Sequence, residues 1–535
     1  MIYQQLPQGI EYFILLFFLY AEIHYRFKYF FSWLHKSEPE IIADLPARLQ
    51  NDRPLPILVI IKDADRYPVR IDRLTVMIDE REPDVIELHQ EVTEAFRDLQ
   101  IEYPLPDVQS GLVEISIRID YYCNGKSRHC YNDNHRGTAH RAFPVTITNS
   151  TLPRYEGCYL GETHCHTNYT SDQVEFGGAV RSTAMLAKAM GLDFYCATDH
   201  SYDLDDLPEN YLENDPALKK WQNFKQEIQE FNRTSDDFMI IPGEEVTVLN
   251  HKGRNVHCLV YNSETFFPGS GDSGEKWLRW RSELALDEVL AQIEEQVKIF
   301  AAHPFDKPPF LQRIFIGRGT WGQTDCTRKG IHGLQFINGG TKKQTQRAKQ
   351  NWINLLLSGH KTIGLAGNDA HGNFARFRQV GFPFFTMREH YHHLFGHWRT
   401  GVYCQGQKLQ PENLLDAMAA GKCYMSNGPA LRFTGVDENN IIHHSGDTVR
   451  NLKKIKVESR SSEEYGKLTT IIVYYGNTDM KSEVCWFTKQ IPEGVLDFEE
   501  ELSIQSVDYP GYFRMEVFTE KGFTALSNPI WTADL

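Results

Sequence analysis

The chain has 535 residues, 41% of them hydrophobic and 24% charged, a composition that excludes a disordered, collagenous or disulfide-scaffold protein and leaves room for two or three domains. Its net charge of −15 with no Lys/Arg block speaks against nucleic acid as a partner, since an acidic surface repels a polyanion. The ten cysteines are scattered without a CxxC pair and read as reduced thiols; with no secretory leader evident, the cytoplasm is the expected compartment.

Residues 1–50 contain an apolar run, Tyr12-Phe13-Ile14-Leu15-Leu16-Phe17-Phe18-Leu19-Tyr20, followed at once by Glu22, His24, Arg26 and Lys28. The run is too short to span a bilayer. A helix over residues 10–33 packed on a neighbouring domain is the expected reading, with an interfacial membrane helix as the alternative. Residues 51–150 follow as a β-rich domain, in which Val113, Ile115, Ile117 and Ile119 alternate with Glu114, Ser116, Arg118 and Asp120 at the period of a half-buried strand.

Between residues 155 and 430 helical segments alternate with short apolar runs. Leu286, Val289, Leu290, Ile293 and Val297 keep helical spacing ahead of Ile299-Phe300-Ala301-Ala302 and His303. Trp221 to Phe231 leads into Met239-Ile240-Ile241 and Glu244-Glu245, and Trp352 to Leu357 leads into Ile363-Gly364-Leu365-Ala366, then Asp369 and His371. Such alternation predicts a parallel sheet with polar residues gathered at the C-terminal strand ends. After residue 431 strand texture returns, for example in Thr470-Ile471-Ile472-Val473-Tyr474-Tyr475, which predicts a C-terminal β-sandwich-like domain over residues 431–535.

The polar strand ends carry the chemistry. His164 and His166 lie at i and i+2, so on a strand both rings leave the same face. Asp369 and His371 repeat that geometry, and Asp199-His200, Glu244-Glu245, His257 and His303 supply further ends. Each alone has an ordinary structural reading; together they would leave buried charges uncompensated unless cations were present. Mixed imidazole and carboxylate ligation suits zinc, manganese or iron(II) better than calcium.

In this order the motifs Gly161-Glu162-Thr163-His164-Cys165-His166-Thr167, Ala197-Thr198-Asp199-His200, Pro242-Gly243-Glu244-Glu245, Asn255-Val256-His257, Ala301-Ala302-His303-Pro304 and Gly367-Asn368-Asp369-Ala370-His371 resemble the PHP family, named for polymerase and histidinol phosphatase. The resemblance implies an α/β fold, a distorted (β/α)7 barrel of the PHP type, here flanked by N-terminal and C-terminal small β domains. It also implies two or three divalent metal ions: a first held by His164, His166, Glu245 and Asp369, a second shared through Glu245 with His257 and His303, and a third at Asp172, His200 and His371. Many relatives have His where this chain has Asp172. Glu244 is expected to point away, and Asp199 to orient an imidazole. A weaker likeness to the carbaryl-hydrolase branch rests on residues 414–424, on Ser426-Asn427-Gly428-Pro429 and on Ser527-Asn528-Pro529-Ile530.

The activity so implied is hydrolysis of a small-molecule phosphoester by a metal-bridging hydroxide, which needs no Ser or Cys nucleophile. Catalytic roles fall to Glu245, Asp369 and His371, and to Arg376, which with Arg378 could clamp a phosphate. A carbamate, ester or amide hydrolase is the alternative, with Trp277, Trp280 and Trp321 as candidate pocket walls. A metal-binding regulatory protein without turnover is the alternative of another class. His390, His392, His393 and His397 read as a loop or cap over the site.

Overall fold

The computed structural model describes residues 38–105, 109–134, 140–170, 177–207, 210–269, 281–308, 310–315, 317–372, 374–381, 386–404, 406–505 and 510–532. The apolar segment 10–33, Asp172, Trp277 and Trp280 lie outside them. Among the described residues no helix is long and apolar enough to cross a membrane.

The N-terminal β domain pairs strands Val69–Ile78 and Gly111–Cys123 antiparallel, and the alternation seen in sequence buries Val113, Ile115, Ile117 and Ile119 in its core. Strand Glu40–Asp44, upstream of the expected boundary, pairs with Leu55–Lys62 and belongs to the same domain.

The site is carried by a larger sheet whose elements are numbered here in chain order: β1 (Cys158–His166), α1 (Val180–Ala189), β2 (Phe194–His200), α2 (Lys219–Thr234), β3 (Met239–Leu249), β4 (Asn255–Tyr261), β5 (Lys298–Ala302), β6 (Gly333–Asn338), α3 (Lys342–Leu357), β7 (Ile363–Gly367), β8 (Ala370–His371), β9 (Arg399–Tyr403), α4 (Pro411–Ala419) and β10 (Cys423–Ser426). β2 is buried along its whole length, the pattern of a strand covered on both faces. Helix α2 turns Phe224 and Ile228, one turn apart, toward the sheet. Helix α3 starts at a capping box, with Thr341 accepting from the Gln344 amide and Gln344 returning a bond to Thr341, and it buries Ala348, Trp352 and Leu356.

The (β/α)7 barrel is not what this chain builds. The structure is 47% strand and 15% helix, and the site strands belong to one mixed 16-stranded sheet. β1 to β3 run parallel, but β4 is antiparallel to both β3 and β5. The link between β3 and β4 is residues 250–254, a tight turn closed by Gly253 at φ +66, far too short for the crossover that parallel strands require. On the other flank β9 and β10 pair antiparallel to their neighbours and lead into Thr524–Ser527 of the C-terminal segment. The apolar runs were legible, but such a run reads alike in a parallel and an antiparallel strand. The sheet curls enough for β8 to pair with the end of β1, placing His371 opposite His166.

Candidate metal centre

His164 and His166 project from the same face of β1 and are fully buried. The Gln335 amide nitrogen donates to Ile337 O and Asn338 Oδ1, so its Oε1 accepts from His164 Nδ1 at 3.2 Å. His166 Nδ1 lies 3.2 Å from Thr170 Oγ1. With Nδ1 so engaged on both rings, each Nε2 faces inward. The two Nε2 atoms are 3.2 Å apart, and Asp369 Oδ1 lies 3.1 Å from that of His166 and 3.4 Å from that of His164. Glu245 adds Oε1 at 3.4 Å from His164 and Oε2 at 3.3 Å from His166.

These separations test whether a metal fits. Four ligands at about 2.0–2.1 Å around a tetrahedral ion lie about 3.3 Å from one another, close to the 3.1–3.4 Å that separates the two Nε2 atoms and Asp369 Oδ1, with Glu245 approaching one imidazole through each of its oxygens. Glu245 also reaches His257 Nδ1 at 2.7 Å and His303 Nε2 at 3.0 Å through Oε1, and His200 Nδ1 at 3.0 Å through Oε2. Three groups of donors result: His164, His166, Glu245 and Asp369; Glu245, His257 and His303; and His166, His200 and His371. Every expected ligand that falls among the described residues is thus in one cluster. His166 joins the third group as well as the first, which the sequence reading did not assign.

The electrostatics fit a cation as well. Burial would raise the Glu245 carboxyl, but His257, His164 and His200 outweigh it and hold it well below the ordinary range. Asp369 is likewise held well below, by His164 and His166 against burial. Burial opposes charge on His164, yet Asp369 and Glu245 lift it to about 8; His200, pressed by burial and by His166, falls to about 3. Two of the ligands sit in left-handed backbone, His303 at φ +30 and Asp369 at φ +53, a conformation non-glycine residues hold only where surroundings impose it.

The supporting residues were mostly not singled out from sequence. Gln335 and Thr170 hold the two β1 imidazoles, and buried Glu162 accepts from the backbone of His164, Asn368 and Gly396. Nothing in a lone Gln or Thr distinguishes it from a surface residue; only its position opposite a ligand does. Asp199 touches no imidazole: it accepts from Thr167 N, Thr167 Oγ1 and Thr170 N, and so fixes the turn that sets Thr170 under His166. Glu244 points to the opposite face of β3, where it accepts from Trp221 Nε1 and the Phe267 amide, and burial raises it to about 8.

Arg376 does not reach the centre. It is buried against the N-terminal domain, donating to the carbonyls of Arg141 and Ala142 beneath the Phe143 ring, so the phosphate clamp expected of it is withdrawn. The side chains of Arg378 and His390 lie outside the described set. His392 and His397 are exposed, and His393 lines the pocket. That pocket, about 230 Å³, opens beside His257, His303 and Asp369 and is walled by Trp321, Asn338, Lys307 and Arg318. A larger groove of about 1080 Å³ lies at the opposite, N-terminal ends of the strands, by Tyr159, Asp193 and Met239, away from every ligand.

Comparison with family models and with curated protein sequences returned no match. Among solved structures the chain aligns with the β-glucuronidase of Parabacteroides merdae at 10% identity and a TM-score of 0.18, covering 93% of this chain and 64% of that one. A calcium-binding mutant of Bacteroides uniformis β-glucuronidase 2 aligns at 10% identity and a TM-score of 0.16, covering 93% and 61%. The chain spans less than two thirds of the length of either, and a likeness at these scores carries no argument about fold or activity.

Proposed function

We propose that the chain is a metal-dependent hydrolase of a small phosphoester, a relative of the PHP family on the motifs quoted above. The observation that carries the reading is the cluster of donor atoms from His164, His166, Glu245 and Asp369, in which each carboxylate lies 3.1–3.4 Å from both imidazoles. His164, His166, Glu245 and Asp369 would hold one divalent ion, Glu245 with His257 and His303 a second, and His166, His200 and His371 a third. Bound zinc, manganese or iron would supply an acidified water at neutral pH and a Lewis acid for the phosphoryl oxygen. The chain's own part is to orient substrate: Lys307 and Arg318 draw an anion into the pocket, and Trp321, held by a bond from its Nε1 to His257 O, forms an apolar wall. That wall favours the second reading, an aryl ester or carbamate hydrolase.

Metal content of protein purified without chelator, together with turnover on a phosphomonoester, a phosphodiester and an aryl carbamate, tests the proposal. Two or three ions per chain and a preferred phosphoester are expected, with His164→Ala lowering kcat/KM by at least about 100-fold. Preference for the carbamate would install the second reading. Bound metal without turnover on any of the three would leave a regulatory protein, and no bound metal with no activity after added manganese or zinc would sink the catalytic reading.

A further inference from the structure

We propose that Gln335 is the positioning residue that makes the first two ion groups one unit, an inference that rests on reading the cluster as a metal centre. Gln335 is fully buried in β6, opposite Ala302, the last residue of β5 and the one before ligand His303. From there its side-chain oxygen faces two ligands of different groups, His164 of the first and His303 of the second. It accepts from His164 Nδ1 at 3.2 Å and from the His303 backbone amide at 3.0 Å. The side-chain nitrogen donates to Ile337 O at 2.8 Å and to Asn338 Oδ1 at 3.0 Å. Those bonds use the whole capacity of a primary amide, two accepted and two donated.

The orientation of that amide follows from two backbone groups. Ile337 O can only accept and His303 N can only donate, so the nitrogen must face the first and the oxygen the second. An oxygen before His164 Nδ1 makes that ring nitrogen the donor and leaves Nε2, which faces Glu245 and Asp369, as the ligand atom. His303 is held through its backbone instead. It stands in left-handed conformation at φ +30, which a non-glycine residue keeps only where its surroundings impose it. The bond to Gln335 is one such constraint. A second is a short relay in which Asn338, bonded to Gln335, donates to Asp306 Oδ2 at 3.3 Å and the Asp306 amide donates back to His303 O at 3.1 Å. Between these attachments the His164 and His303 rings lie stacked, 5.6 Å between centroids and 12° between planes. Asn338 and Asp306 also line the pocket, so one buried side chain ties the spacing of the ion groups to the pocket wall.

Manganese(II) uptake by the chelated whole chain, followed by equilibrium dialysis without substrate, tests the assignment, with the thermal midpoint of each metal-free variant reporting on the fold alone. Gln335→Met keeps the length of the side chain but offers none of the four bonds, and filling the first two groups is expected to need about 10- to 100-fold more manganese than in the wild type. Gln335→Glu keeps an oxygen before His164 and His303 and gives up only the donated bonds. It is expected to lower the thermal midpoint while holding manganese within about fivefold of the wild type. Unaltered binding in Gln335→Met overturns the assignment. So does a loss in Gln335→Glu as large as that in Gln335→Met, because a merely structural residue would lower affinity in step with the fold. If Gln335→Met fails to fold, Gln335→Leu serves the same comparison. A wild-type chain that takes up no manganese would instead locate the failure in the metal reading, and the role of Gln335 would fall with it.

Discussion

At the scale of single residues the centre is a set of acceptors turned on one another, stable without metal only by holding protons. His164, lifted to about 8 by Asp369 and Glu245 against burial, is one holder. Its folded value lies above the unfolded imidazole value of about 6.5. Its proton therefore contributes stability that is fully present below about 6.5 and lost as pH rises through about 8. A divalent ion replaces that proton, so metal affinity should climb over the same interval. His200, lowered to about 3, acts with opposite sign but only between about 3 and 6.5. Calorimetry is expected to show the chelated protein's thermal midpoint falling from pH 6.5 to 8.5 more steeply than that of the metal-loaded protein. Parallel curves would show that His164 does not carry the proton.

At the scale of elements, β3 works on both faces. Glu245 enters the centre while its neighbour Glu244 ties the strand to α2 through Trp221. That alternation was legible, since adjacent strand residues must point oppositely. Burial raises Glu244 to about 8 against the ordinary glutamate value, so the folded state binds a proton the unfolded chain releases, and stability falls as pH rises from about 4.5 to about 8. Glu244→Gln removes this titration. Its stability relative to wild type should rise between pH 5 and pH 8 by on the order of 1–3 kcal/mol, read from denaturant midpoints. A difference independent of pH would mean that Glu244 stays ionised in the fold.

At the scale of the whole molecule the flanking domains brace the centre. Asp44 of the N-terminal domain accepts from the amides of Phe374 and Ala375, just past the ligand His371. In the C-terminal segment Asn528 accepts from Gly364 N at 2.7 Å and donates to Gly364 O at 3.0 Å, completing the backbone bonds of β7. One hydrophobic core contains Leu160 and Tyr195 of the site sheet together with Val473 and Ile530. Asn528→Ala should therefore cost roughly 2–4 kcal/mol, from two buried backbone groups left unpaired. Unfolding should remain a single transition, because the shared core couples the parts. A separate early transition of the C-terminal segment would show that the sheet is not one cooperative unit.

By itself the sequence determined the polar strand ends, and the order of its motifs named most of the residues that meet. His164 and His166 share a face by the period of a strand, and a buried strand end cannot carry such groups without compensation, whereas Asp369 lies in left-handed backbone before its strand and reaches the centre by that turn. Strand direction, and with it the difference between a barrel of repeated units and a curled mixed sheet, was decided only in the tertiary structure, because an apolar run records burial and not the sense of its neighbour. The same holds for Gln335 and Thr170, whose roles come from what long-range packing sets beside them, and for Arg376. Its charge fitted a phosphate as well as it fits two backbone carbonyls, and packing against the N-terminal domain made the choice.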